Sequence, residues 1–174
     1  TEKYMQERSN YVKPFGYFEK KLDELMEYKL SNELELIPNA RELLEECKAG
    51  GIKIALVTAS NGRQMRSVLT RFPEGFFDAT VSRDDVQKSK PDPAPYLLAA
   101  NLLGVKNELC VVFEDSPTGV ESGLRSGAQV IGIPHLIQMV PHVNLRVIDA
   151  IADVNLAQLI TWYPFLTSRL NSND

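Results

Sequence analysis

Three short, nearly uninterrupted apolar runs constrain this chain more than any other feature: Ile52–Thr58 (IKIALVT), Leu109–Phe113 (LCVVF) and Gln129–Ile133 (QVIGI). A run of this length without polar alternation predicts a strand covered on both faces. Helical patterns separate the runs. One spans Arg63 to Arg71 and is followed by a short strand, Ala79–Ser82. Another spans Ala94 to Leu103 and stops at Gly104, and a third runs from Pro117 to Ser126. Strands alternating with helices over short connections predict an α/β fold, a Rossmann-like parallel sheet with helices on both faces.

Upstream, Phe18, Leu22, Leu25, Met26 and Lys29 recur at three- and four-residue steps, which predicts an amphipathic helix over Tyr17–Leu30. Pro38 and Asn39 open a second helix, Ala40–Ala49, that Gly50 and Gly51 end. The stretch Val147–Leu159 reads as a weak strand and a terminal helix. Gly119, Gly123 and Gly127 fall every four residues. The first two are expected to let their helix lie close on the sheet, and Gly127 to end it.

With 174 residues, the chain is expected to form one domain, or one with a small appendage. Its 19 basic and 23 acidic residues leave a net charge of −4, so electrostatics make no case for nucleic acid as partner. Apolar runs are too short to span a membrane and no leader-like progression opens the chain. Cys47 and Cys110 form no Cys-x-x-Cys pair and read as buried thiols in a reducing, cytoplasmic setting. His135 and His142 lack companions at ligand spacing, which argues against zinc.

In an open parallel sheet, ligands sit beyond the carboxyl ends of the strands. The residues there are Thr58-Ala59-Ser60 after the first run and Glu114-Asp115-Ser116 after the second, with Lys90 in the proline-rich loop between. A hydroxyl with amides at a helix start can hold a phosphate, and a lysine adds charge for the same anion. Paired carboxylates can hold Mg²⁺. Each residue alone also has an ordinary role: Thr58 as a strand end or cap, Lys90 as a solvated loop lysine, Glu114 and Asp115 as helix-start acids. Their order and placement together point to phosphoryl chemistry.

Ile54–Ser60 (IALVTAS), Asp84–Pro93 (DDVQKSKPDP) and Val111–Val120 (VVFEDSPTGV) resemble motifs II, III and IV of the haloacid dehalogenase superfamily, closest to its capped phosphatases and β-phosphoglucomutases. The resemblance runs from about Ile37 to Pro134. It implies that Thr58, with the amides around Ala59 and Ser60, binds the transferring phosphoryl group of a small phosphorylated substrate. It implies that Lys90 neutralises that group and the nucleophile, and that Glu114 and Asp115 position Mg²⁺. Residues 1–36 are then a partial helical cap and 37–174 the α/β core.

The resemblance lacks one element. The family's first motif, Asp-x-Asp-Gly-Thr, is absent, and no Asp-x-Asp occurs anywhere in the chain. Its first aspartate is the family's nucleophile, so this chain alone is expected to be inactive. The family's motif I strand also lies mid-sheet, and its loss would leave two apolar strand edges facing a gap. Because the chain opens at Thr1, a missing or clipped N-terminal segment of the same protein is the expected partner. The expectation is therefore a phosphatase-type hydrolase. A sugar-phosphate mutase and a non-catalytic phosphate- and metal-binding module are the alternatives, while a phospho-acceptor receiver domain has its acidic residues in the wrong order.

Overall fold

The computed structural model describes residues 2–134 and 139–169; His135 lies outside the described residues. Among the described residues, seven α-helices and five strands follow in order: α1 (Glu2–Arg8), α2 (Tyr17–Asn32), α3 (Ala40–Ala49), β1 (Ala55–Val57), α4 (Gly62–Leu69), β2 (Ala79–Val81), α5 (Ala94–Leu103), β3 (Val111–Glu114), α6 (Pro117–Arg125), β4 (Gln129–Gly132), β5 (Leu145–Val147) and α7 (Leu156–Trp162). The fold is α/β and every strand pairing is parallel. No described helix is long and apolar enough to cross a membrane.

The chain divides into two compact units. One comprises the residues up to Glu35 together with Ser60–Glu74; the other comprises Leu36–Ala59 and the residues from Gly75 onward. In the first, α4 packs on α2. Gln64 donates to Asp23 at 3.1 Å, and Arg63 pairs with Glu27 at 3.0 Å. The Glu2 carboxylate ties α1 to the start of α2 by accepting from the amides of Gly16 (2.9 Å) and Glu19 (2.7 Å). No α2 side chain is buried: Leu22, Leu25 and Met26, the stripe that predicted the helix, are all exposed.

The second unit holds the strands, in two sheets rather than one. β1 pairs with β2, and β3, β4 and β5 form a separate sheet in that order. Helix α5 packs on β1 and β2, and α6 packs on β3 and β4. A core of Tyr96, Val112, Val120, Ala128 and Val130 lies under α6 and the second sheet. Gly123 permits this packing, since a Cβ there would stand 3.0 Å from Val130 Cγ2 and 3.3 Å from Val112 Cγ1. Gly127, at φ +88°, ends the helix as expected. Asn39 holds the C-terminal region in place, donating from its amide to the carbonyls of Ile151 (3.2 Å) and Val154 (2.7 Å).

Between the sheets lies an apolar cleft of about 380 Å³. β1 and β3 wall it, together with Leu43 and Cys47 of α3 and Tyr96, Ala99 and Leu103 of α5. The ladders show which main-chain groups face it. Ile54 O and Thr58 N bond to the β2 side, each at 2.9 Å, and Cys110 O and Glu114 O accept from the β4 side at 3.0 and 2.8 Å. Residues alternate along a strand, so Ala55, Val57, Val111 and Phe113 turn their N–H and C=O groups into the cleft. One expectation needs correction here. Cys110 is only half-buried, because it precedes β3 at the cleft wall and is not enclosed within a strand; Cys47 is buried, and the two are not joined in a disulfide.

Candidate phosphate-handling site

The carboxyl ends of β1 and β3 meet at Lys90. The loop between β2 and α5 delivers this lysine, whose bond to Pro91 is cis. Its ammonium donates to Val57 O at 3.2 Å and to Glu114 Oε1 at 2.5 Å, so one cation joins the last residue of β1 to the last of β3. Both charged side chains are about nine-tenths buried, at 9% and 8% exposure. The ammonium also lies 4.8 Å from the ring centroid of Tyr96, within cation–π range. Burial of this kind requires that a charge be paired, and here it is.

The other predicted residues distribute as follows. Thr58 directly follows β1; it is half-buried, and its N–H donates to Val81 O. Ala59 is exposed beyond it. Ser60 belongs to the other unit, where Asn61 caps α4 by accepting from the Gln64 N–H at 2.9 Å. Thr58 and Lys90 are thus brought together through Val57. Asp115 is exposed, whereas Glu114 turns inward.

Glu114 is held on every side. Oε1 accepts from Lys90 and from the Tyr96 hydroxyl, and Oε2 accepts from Ser116 Oγ at 3.2 Å. Ser116 in turn caps α6, accepting from the Gly119 N–H at 3.1 Å. A Cβ at Gly119 would fall 1.9 Å from Glu114 Oε2, so any side chain there would displace the carboxylate from its present place. Gly119 therefore lets α6 lie close on the end of β3, where the carboxylate sits. Ser122, fully buried, donates to Asp92 O at 2.6 Å and fastens α6 to the lysine loop. Burial and then the Glu114 charge push the Tyr96 phenol far above its ordinary pKa, so it remains a donor.

Sequence patterning missed Tyr96. The signal was available: a tyrosine in an otherwise apolar helix (APYLLAANLL) must find a partner for its hydroxyl once buried. Among the described residues, no group of three or more His, Cys, Asp and Glu is placed to hold a metal ion. With Glu114 committed internally, Asp115 is the one predicted carboxylate left facing outward.

Fold and site together define a parallel α/β protein with a lysine–carboxylate centre at its strand ends. The chain belongs to the haloacid dehalogenase-like hydrolases, whose family model matches residues 2–133. It is 39% identical over 120 residues to a phosphorylated carbohydrates phosphatase of Thermotoga maritima, covering 68% of this chain and 56% of that protein. It is 37% identical over 99 residues to hexitol phosphatase A of Escherichia coli, covering 56% of this chain and 45% of that protein. Among solved structures, a T. maritima protein provisionally assigned as a β-phosphoglucomutase matches with a TM-score of 0.74 and 30% identity, over 92% of this chain and 76% of its own. The chain spans about half the length of the curated relatives it matches.

Proposed function

We propose that this chain is the larger part of a phosphatase acting on a small phosphorylated metabolite, with sugar phosphates as the substrate class. The observation that carries the reading is Lys90, a buried ammonium at the carboxyl ends of both sheets and adjacent to Thr58. An anionic phosphoryl group there gains charge neutralisation in a site of low dielectric. The Thr58 hydroxyl and the Ala59 amide would hold its oxygens. The names of the phosphatase relatives support the substrate class.

The nucleophile would come from an N-terminal segment of the same protein that lies outside this sequence. An extended strand entering the cleft parallel to β1 and β3 would meet the main-chain groups of Ala55, Val57, Val111 and Phe113, and its end would reach Lys90. An aspartate there would attack phosphorus and the bond from phosphorus to the substrate oxygen would break, that oxygen taking a proton from a second carboxylic acid of the same segment; water would then attack the aspartyl-phosphate, return a proton to that carboxylate and release phosphate. The length of the relatives supports such a segment. Mg²⁺, when bound, would neutralise phosphoryl oxygens, with Asp115 as this chain's ligand. The residues described do not complete such a site by themselves, so no step is assigned to the metal. Two cysteines that form no disulfide support a cytoplasmic setting.

The inward turn of Glu114 favours one second reading, a non-catalytic phosphate-binding module. Phosphate release from a panel of sugar phosphates, measured with the longer protein and with this chain, decides between them. Turnover by the longer protein that falls by about 10²-fold or more in Lys90→Ala is expected, and none from this chain alone. Phosphate binding without turnover in the longer protein would establish the binding module instead.

A further inference from the structure

The cradle around Glu114 is built by four residues from three parts of the chain, each residue supplying something a carboxylate needs. The loop supplies the Lys90 cation at 2.5 Å, α5 supplies the Tyr96 hydroxyl, the α6 cap supplies Ser116, and Gly119 supplies an absence of side chain. Such convergence is costly to maintain. A phenol in a helix core must be satisfied, and a glycine in the first turn of a helix is a poor helix former.

A carboxylate serving as a metal ligand needs oxygen lone pairs facing the ion. Glu114 has its two oxygens spent on three donors and is 8% exposed. A lysine that must meet an anion needs its ammonium fixed, since a four-carbon stem otherwise samples many rotamers. Glu114 and Val57 O fix it from two directions, with the Tyr96 ring beneath.

We propose that Tyr96 and Gly119 are positioning residues that lock the Glu114 carboxylate onto Lys90, so that Glu114 orients the phosphate-facing ammonium and does not ligate metal. The proposal rests on the phosphate-handling reading of Lys90. Tyr96→Phe keeps the ring and its packing and removes only the hydroxyl; Gly119→Ala places a methyl where Oε2 now lies.

The test uses the longer protein that contains this chain, uniformly labelled with ¹⁵N. A slowly exchanging Lys90 ammonium resonance is expected in the parent, lost in Glu114→Gln and shifted in both Tyr96→Phe and Gly119→Ala, with backbone amides of β4 unmoved. Titration with inorganic phosphate should weaken about tenfold in Tyr96→Phe, as follows from losing a hydrogen bond to a charged group. Titration with Mg²⁺ alone, followed at the Asp115 amide, should be unchanged in Glu114→Gln and lost in Asp115→Asn. Equal loss of Mg²⁺ response in both carboxylate variants, or an ammonium signal indifferent to Tyr96→Phe, would overturn the proposal. If the parent binds no phosphate at all, the phosphate-handling reading falls, and the ammonium signal alone decides the lock.

Discussion

Helix α2 and strand β4 carry apolar patterns of comparable clarity, yet their fates in the fold are opposite. Val130 and Ile131 of β4 are fully buried between β3, β5 and α6, while no side chain of α2 is buried and Leu25 is half exposed. The difference lies in the partner, not in the pattern. β4 has strands on both sides and a helix on its face. α2 has α4 along one side and is otherwise tied by polar contacts, such as Gln64 to Asp23. An apolar stripe states what an element can bury, and only another segment determines whether it does.

The sharpest way to test the contrast is to break the buried half. Lys90→Met should destabilise the chain by about 3–5 kcal/mol in urea unfolding, because it leaves a buried carboxylate without its cation. A loss below about 1 kcal/mol, the range of surface pairs, would mean that solvent reaches Glu114. Ile131→Ala should cost about 2–5 kcal/mol, while Leu25→Ala should stay within about 0.5 kcal/mol. Equal costs would erase the comparison, since α2 would then be covered.

The two thiols draw the same contrast inside the strand-bearing unit. Burial pushes the Cys47 thiol up to about 11, and Cys110 sits half-buried at the cleft wall. At pH 8 a thiol reagent followed by mass spectrometry should label Cys110 well before Cys47. Occupation of the cleft by a strand should slow Cys110; labelling of Cys47 first would mean that the buried wall opens.

The smallest effect falls in the α2 unit, where polar bonds replace burial. Desolvation opposes ionisation of Glu2, but bonds from Gln6 and from the amides of Glu19 and Gly16 outweigh it and hold the carboxyl below its usual value of 4.5. A depressed native value means stability present above pH 4.5 and lost as pH falls through the lowered value. Amide exchange at Gly16 and Glu19 should therefore accelerate in acid, and Glu2→Gln should remove that pH dependence. Exchange independent of pH in the parent, after correction for intrinsic rates, would show that the Glu2 bonds do not order the α1–α2 junction.

Much of this was legible in the residue order. The helix Ala94–Leu103 appears at its predicted bounds, and the Pro117 helix ends one residue early. Apolar runs and glycine stops are local signals that hydrophobic burial and backbone sterics act on directly. Strand extents were less legible. Ile52–Thr58 shortens to Ala55–Val57 because its partner β2 spans only three residues, and a strand lasts as long as its ladder. Helix α1 gave no apolar signal in EKYMQER, since the bonds that order it come from Glu2 to amides 14 and 17 residues away.

By itself, then, the sequence determined the α/β class, the order of elements and which residues stand at the strand ends, because apolar period, helix stops and chain order are local properties. Only the tertiary structure decided which of those residues share a task. Glu114 and Asp115 are neighbours in the chain and look alike as carboxylates. One is closed in by a lysine 24 positions away and a tyrosine 18 positions away, and the other is left to solvent. Glu114 ends β3 and Asp115 lies just beyond it, so the contacts each one meets are set by what packs there.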